Sequence, residues 1–255
     1  MSSWALVTGA TSGIGESFTR LLASNRYDIV LVARDLPRLQ ERAQGLEEKY
    51  GVKTHVIQAD LATDEGCLKI EKYIADNQID VLINNAGFGT NKAFTMSSLD
   101  IEQQLLDVLV RTPMRLMHVA LPLMKQRNNG VIINVSSVAG YIAGGSYSAS
   151  KSYLTVLSES LNTELSGTKV KVSALCPGFT RTEFHQRGRM SMKALPNFMW
   201  LNSDRLVERS WNDALKGEAV SVPGWQYKLL VFIVHAVPRS FVRKVGMNLR
   251  DKQRK

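Results

Sequence analysis

Short apolar runs rich in β-branched residues alternate along this chain with longer stretches whose apolar positions recur every three or four residues. The short runs, at 5–8, 28–33, 53–58, 81–84, 130–135, 169–175 and 219–222, predict seven strands. Amphipathic patterns near 13–24, 36–50, 64–77, 99–124, 147–166 and 203–216 predict helices between them. Strands such as Ile29-Val30-Leu31-Val32 are apolar at every position rather than at alternate ones, as expected when helices cover both faces of a parallel sheet. The order strand–helix–strand predicts an α/β fold with a doubly wound parallel sheet. No repeat or Pro/Gly/Ser-rich linker interrupts it. The predicted organisation is one domain over residues 1–223 and an apolar, then basic, C-terminal helical extension over 224–255.

Composition narrows the class. A chain of 255 residues with 44% hydrophobic and 22% charged side chains is neither disordered, collagen-like nor polytopic. Cys67 and Cys176 are too few for a disulfide framework and lack metal spacing, so two reduced, buried thiols are expected. His55, His118, His185 and His235 likewise show no ligand spacing. The net charge of +9 is concentrated: from Arg239 onward seven basic residues face Asp251 alone, leaving +3 for the rest of the chain. A nucleic-acid enzyme would spread that charge over a face of the fold, so no nucleic-acid partner is expected. Met1-Ser2-Ser3-Trp4 leads straight into the first strand without a basic leader and long apolar stretch, which predicts a cytoplasmic protein.

Ligands of such sheets sit beyond the carboxyl ends of the strands, and the informative residues fall there. After the first strand comes Thr8-Gly9-Ala10-Thr11-Ser12-Gly13-Ile14-Gly15, opening a helix. Gly9, Thr11, Ser12, Gly13, Ile14 and Gly15 can bring backbone N–H groups and the positive end of a helix against a pyrophosphate. The second strand ends in Ala33-Arg34, where a carboxylate would hold an unmodified ribose. A guanidinium there favours the 2′-phosphate of NADP(H), with Arg38 one turn on as reinforcement. Asp60 and Leu61 follow the third strand and are placed to meet the adenine end. Asn84-Asn85-Ala86-Gly87 follows the fourth; its amides can tie neighbouring strands, while Asn85, Ala86 and Gly87 leave room for a ribose.

Ser136-Ser137 ends the fifth strand, and Tyr147-Ser148-Ala149-Ser150-Lys151 begins ten residues later. Tyr147 and Lys151 lie one helical turn apart on the same face, where an ammonium favours the phenolate and moves tyrosine toward proton exchange near neutral pH. After the sixth strand, Pro177, Gly178, Thr180 and Thr182 offer backbone and hydroxyl groups to a nicotinamide carboxamide.

In this order and spacing, TGATSGIG, NNAG, SSVAG, YSASK and PGFTRT resemble the short-chain dehydrogenase/reductase family over roughly residues 4–223. The resemblance implies a Rossmann fold and an NADP(H)-dependent oxidoreductase that interconverts a carbonyl and a secondary alcohol. It assigns Ser137, Tyr147 and Lys151 as the catalytic serine, tyrosine and lysine, with Tyr147 and Lys151 also meeting the nicotinamide ribose. A small-molecule carbonyl or alcohol partner and a homo-oligomer are expected. One position departs: Leu109, in Asp107-Val108-Leu109-Val110, stands where the family carries an asparagine that keeps a helix break and supports a water leading from the lysine to solvent. Pro113 has no N–H for the carbonyl of residue 109, so Leu109 is expected to serve through its main chain alone. A non-catalytic dinucleotide sensor or scaffold is the alternative.

The resemblance also puts a substrate lid over 184–200, where Phe184, Met190, Met192, Phe198, Met199 and Trp200 suit an apolar substrate or packing. Beyond it the run 225–234 is too short to span a bilayer; it packs on the core or a subunit interface, or lies peripherally on an anionic membrane with the basic tail. Arg111 and Arg115 read as solvated helix charges or as an acid-binding pair.

Overall fold

Ala5, Val7, Ile29 and Leu31 bury their side chains on one face of the sheet, and Leu6, Val30 and Val32, which alternate with them, bury theirs on the other. Both faces are therefore core, which is why these strands read as unbroken apolar runs. The computed structural model describes residues 3–90, 92–188, 195–240 and 242–243. Its strands are β1 (Trp4–Thr8), β2 (Asp28–Ala33), β3 (Thr54–Gln58), β4 (Val81–Asn84), β5 (Gly130–Val135), β6 (Val170–Leu175) and β7 (Val220–Ser221). They form one parallel sheet in the order β3-β2-β1-β4-β5-β6-β7. The order reverses between β1 and β4, so the loops leaving those two strands diverge and open a crevice at their carboxyl ends.

The helices are α1 (Gly13–Ser24), α2 (Leu36–Tyr50), α3 (Asp64–Asp76), α4 (Leu99–Leu106), α5 (Thr112–Arg127), α6 (Ser146–Glu164), α7 (Phe184–Arg187), α8 (Ser203–Leu215) and α9 (Trp225–Ala236). Phe18 and Leu22 of α1, Leu39 of α2 and Val207 and Trp211 of α8 fill the first core layer. Ile70 and Ile74 of α3, Leu116 and Ala120 of α5 and Leu154 of α6 fill the second. Local chemistry sets the helix ends: the Asp35 carboxylate accepts the Arg38 N–H at the start of α2, Gly51 closes it in the left-handed region at φ 67°, and the Thr63 hydroxyl accepts the Gly66 N–H in α3.

The helical pattern over 99–124 is interrupted just before Pro113, where the proline was expected to keep a break. Residues Asp107–Arg111 form a π-helical turn in which the Thr112 N–H reaches back five residues to the Asp107 carbonyl. Pro113 explains the interruption, because it has no N–H to offer the Leu109 carbonyl and its ring crowds that position. Arg111 and Arg115 are partly exposed, as expected of surface helix charges, and both are already engaged by carboxylates of this chain. Arg111 pairs with Asp64 at 2.6 Å and Asp107 at 3.0 Å, and Arg115 with Glu71 and with Asp64 at 2.9 Å, linking the π turn and the start of α5 to α3. Both cysteines are buried free thiols, as expected.

Candidate active site

The crevice between β1 and β4 is held by one threonine and one asparagine. The Thr8 hydroxyl accepts the N–H groups of Asn85 (2.9 Å) and Ala86 (3.0 Å) and donates to the Ile83 carbonyl. The Asn85 amide in turn donates to the carbonyls of Thr8 (2.8 Å) and Gly9 (3.1 Å). Asn84 ties β4 to β5 through the Asn134 side chain at 2.8 Å, so the paired asparagines do stitch neighbouring strands. Asn134 passes the connection on to Ser158 of α6.

Gly9 and Gly13 occupy the left-handed region at φ 66° and 59°, which lets the loop turn sharply into α1. Gly15 has a different reason: a Cβ there would stand 2.2 Å from the Gly9 carbonyl oxygen, so only glycine lets the helix approach the strand end. Thr11 is buried, and the Ser12 side chain does not cap α1. Gly13, Ile14 and Gly15 thus present N–H groups that have no carbonyl of their own helix to bond. This donor set, at the positive end of a helix in the crevice, fits a dinucleotide pyrophosphate.

At the far side of β1, the Arg34 guanidinium is exposed and makes no ion pair among the described residues. Arg38 is committed elsewhere: both terminal nitrogens bond the Glu183 carboxylate, at 3.0 and 3.3 Å, which holds that carboxyl below its ordinary range. Asp60 is exposed, with Oδ1 accepting the Ala62 N–H, whereas Leu61 is buried and its carbonyl accepts the Thr112 hydroxyl.

On the other side of the crevice, α6 lies against the end of β5. The Ser136 hydroxyl donates to the Lys151 carbonyl at 2.6 Å, and Gly140 packs so tightly on α6 that a Cβ would meet the Ser152 nitrogen at 2.9 Å. Between these two anchors sits Ser137, whose Oγ accepts the Ala139 N–H at 3.1 Å and reaches the Pro177 carbonyl only at 3.4 Å. Lys151 is buried; its Nζ donates to the Val135 carbonyl at 2.6 Å and lies 5.7 Å from the centre of the Tyr147 ring. Burial pushes the Lys151 ammonium down to about 8. Tyr147 is half-buried, with Phe184 6.0 Å away ring to ring.

Leu109 enters this neighbourhood from the π turn. It is 1% exposed, and a Cβ on Gly87 would lie 2.8 Å from its Cδ2 and 3.9 Å from the Lys151 Nζ. Gly87, Leu109 and the lysine ammonium therefore converge on one small volume.

The segment leaving β6 crosses back over the glycine loop. Thr182 lies so near Gly13 that a Cβ there would be 3.0 Å from it, and the buried Thr180 hydroxyl donates to the Gly178 carbonyl. Sequence reasoning missed what fixes this segment. Tyr227 of α9 is 1% exposed, its ring covers Gly178, and its hydroxyl donates to the Met199 carbonyl at 2.5 Å while accepting the Phe179 N–H at 3.0 Å. Nothing in the run 225–234 marks Tyr227, rather than Trp225, as the aromatic that faces inward. The expected lid is described in part: Phe184 lies beside Tyr147, Phe198 is exposed, and Trp200 packs on Phe179 with the Arg181 guanidinium over its ring. Met190 and Met192 lie outside the described residues. Among the described residues no group of side chains could hold a metal ion, and no helix is long and apolar enough to cross a membrane.

Known proteins share this fold. The chain is 30% identical to a very-long-chain 3-oxoacyl-CoA reductase of Rattus norvegicus over 190 residues, 72% of this chain and 61% of that protein. It is 32% identical over 202 residues to the human inactive hydroxysteroid dehydrogenase-like protein 1, covering 77% of this chain and 59% of that one. The aligned region thus spans about three-fifths of the length of these relatives. A short-chain dehydrogenase from Sphingobium yanoikuyae, solved in complex with NADPH, superposes with a TM-score of 0.83 at 30% identity, covering 92% of this chain and 94% of that one. The family model for short chain dehydrogenase matches residues 3–192, and the chain belongs to that family.

Proposed function

We propose that the protein is an NADP(H)-dependent oxidoreductase that interconverts a carbonyl and a secondary alcohol, working as a reductase. One observation carries the reading: a buried lysine ammonium one helical turn from a half-buried tyrosine, on a helix anchored to the end of β5, where Ser137 follows. Gly9, Thr11, Ser12, Gly13, Ile14 and Gly15 would hold the pyrophosphate, with Asp60 and Leu61 toward the adenine. Asn85, Ala86 and Gly87 would border the ribose, and Pro177, Gly178, Thr180 and Thr182 the carboxamide. A nicotinamide held there would supply hydride for the carbonyl carbon. Tyr147 then gives its phenolic proton to the carbonyl oxygen, which balances the reduction to CH–OH. The Ser137 proton, only loosely engaged by the Pro177 carbonyl, is available to hold that same oxygen. Lys151 keeps positive charge beside the phenol and so lowers the cost of its losing a proton.

Arg34 supports NADP(H) over NAD(H), being a guanidinium with no ion pair among the described residues, at the end of β2 where a carboxylate would repel a phosphate. Phe184 and Trp200 near the site support an apolar carbonyl substrate, in keeping with the acyl substrate named for the rat relative. Apolar side chains left exposed on α4, α5 and α6, such as Leu106, Met114 and Val156, support a homo-oligomer.

A second reading, a dinucleotide-binding sensor, draws on Leu109 in place of an amide and on the relative named inactive. NADPH oxidation across ketones and aldehydes of graded size separates the two. Turnover in the parent that is lost in Tyr147→Phe supports the enzyme. Tight NADPH binding with no turnover on any carbonyl supports the sensor.

A further inference from the structure

Helix α9 is amphipathic in an unusual sense: the side it turns to solvent is apolar. Tyr227 faces inward and fixes the helix, while Trp225, Leu229, Phe232 and Ile233, spaced for one outer stripe, stand exposed, with Trp225 at 72% and Phe232 at 71%. Phe198 extends this surface toward the segment before α8, held there by the Gln226 side chain on its carbonyl. The segment that carries the stripe has charge of one sign, while Asp213 and Glu218, with Arg209, Lys216 and Lys228, line a pocket on the Phe232 side of the helix. From Ala219 to Arg250 the sequence contains no carboxylate but carries Lys228, Arg239, Arg243, Lys244 and Arg250. Val242 is buried, which keeps the described cations Arg239 and Arg243 close to the body rather than free in solution.

We infer that α9 is a docking face for an anionic lipid bilayer: Trp225, Leu229, Phe232 and Ile233 enter the headgroup–acyl boundary and the following cations meet the lipid phosphates. Aromatic and aliphatic insertion supplies the anchorage, and the basic residues select the anionic surface. An interior core contact would not leave four large apolar residues in water. A second protein chain would need its own carboxylates to match the cations, which this chain does not offer from α9 itself. The inference is independent of the catalytic reading, since it uses no residue of the candidate active site.

Co-sedimentation of the full chain with phosphatidylcholine vesicles, and with vesicles also containing phosphatidylglycerol, tests it, with a Trp225→Glu/Phe232→Glu variant alongside. Both positions are exposed, so the variant retains NADPH binding, which serves as the control for folding. The parent is expected to pellet with anionic vesicles at least about tenfold more than with neutral ones, and to lose that excess in the variant and in high salt. Equal pelleting of parent and variant overturns the proposal, as does a parent that stays in the supernatant with both vesicle types. A parent that forms an oligomer which the variant breaks, without binding vesicles, also overturns it and assigns the face to a second copy.

Discussion

The Tyr227 ring lies across Gly178 so closely that a single methyl group on that glycine would stand 2.0 Å from the ring carbon Cζ. The contact joins α9 to the loop that leaves β6, and the Tyr227 hydroxyl adds bonds to Phe179 and Met199. Burial pushes this phenol up to about 12, so it remains a neutral donor throughout the working pH range. Tyr227→Phe leaves the Phe179 N–H and the Met199 carbonyl without their partner and is expected to cost about 1–3 kcal/mol. Gly178→Ala is expected to be worse, because the ring cannot yield without moving α9. Thermal melting with and without NADPH checks both. Unchanged melting and unchanged NADPH affinity in Gly178→Ala would show that the clamp has no role in holding the loop.

Lys151 is expected to make activity and stability move in opposite directions with pH. Its folded value of about 8 lies below the ordinary 10.5 because burial penalises the charged form. Between pH 8 and 10.5 the unfolded chain binds a proton at this site that the folded chain has lost, so stability rises with pH in that window. In the proposed mechanism reduction uses the ammonium, so activity is expected to fall above about pH 8. A pH profile of kcat/KM for NADPH-dependent reduction checks the second expectation, and melting between pH 8 and 10 the first. Lys151→Met should abolish turnover and remove this site's contribution to the rise in stability.

The sheet was legible in the sequence because its signal is local. Val, Ile and Leu runs mark strands buried on both faces; the three strands at 28–33, 81–84 and 130–135 have the expected bounds, and the first begins one residue earlier than expected, at Trp4. Ser137, Tyr147 and Lys151 were placed by spacing, and the structure brings their elements together through Ser136 and Gly140. What escaped depended on partners far apart in the chain. Arg38 looked available for a phosphate but binds Glu183, 145 residues away. Tyr227 looked like one aromatic of an apolar run, whereas its role comes from Gly178, Phe179 and Met199. The break at 107–111 was legible through Pro113, but its form, a π turn with a bond from the Thr112 N–H to the Asp107 carbonyl, was not.

The Arg38–Glu183 pair sharpens the cofactor prediction. With Arg38 engaged, Arg34 is the guanidinium at the end of β2 left to meet a 2′-phosphate. Losing a charge-assisted bond of about 1.5–3 kcal/mol corresponds to roughly a 10- to 100-fold weaker NADPH affinity, with NADH little changed. Fluorescence titration of Arg34→Ala with the two dinucleotides measures this. Arg38→Ala should weaken NADPH less than Arg34→Ala does, since its guanidinium bonds Glu183. Equal affinities for NADPH and NADH in the parent would reject the role given to Arg34.

Leu109 is the position on which the catalytic and sensor readings part. Its side chain shares a small volume with Gly87 and the Lys151 ammonium, so it adds apolar surroundings to a lysine whose proton affinity is already lowered by burial. The break that the family's asparagine helps maintain is present here as the π turn before Pro113, and that proline denies the Leu109 carbonyl its usual helical donor. If the main chain does the work, Leu109→Asn alters maximal turnover by less than about tenfold, because the backbone it needs is already in place. The new amide would relieve some desolvation of Lys151, so the alkaline loss of reductase activity should move to higher pH. A pH profile of the purified variant separates these outcomes. A gain of orders of magnitude in turnover would mean that the leucine impairs proton transfer, and the sensor reading would then account better for the parent chain.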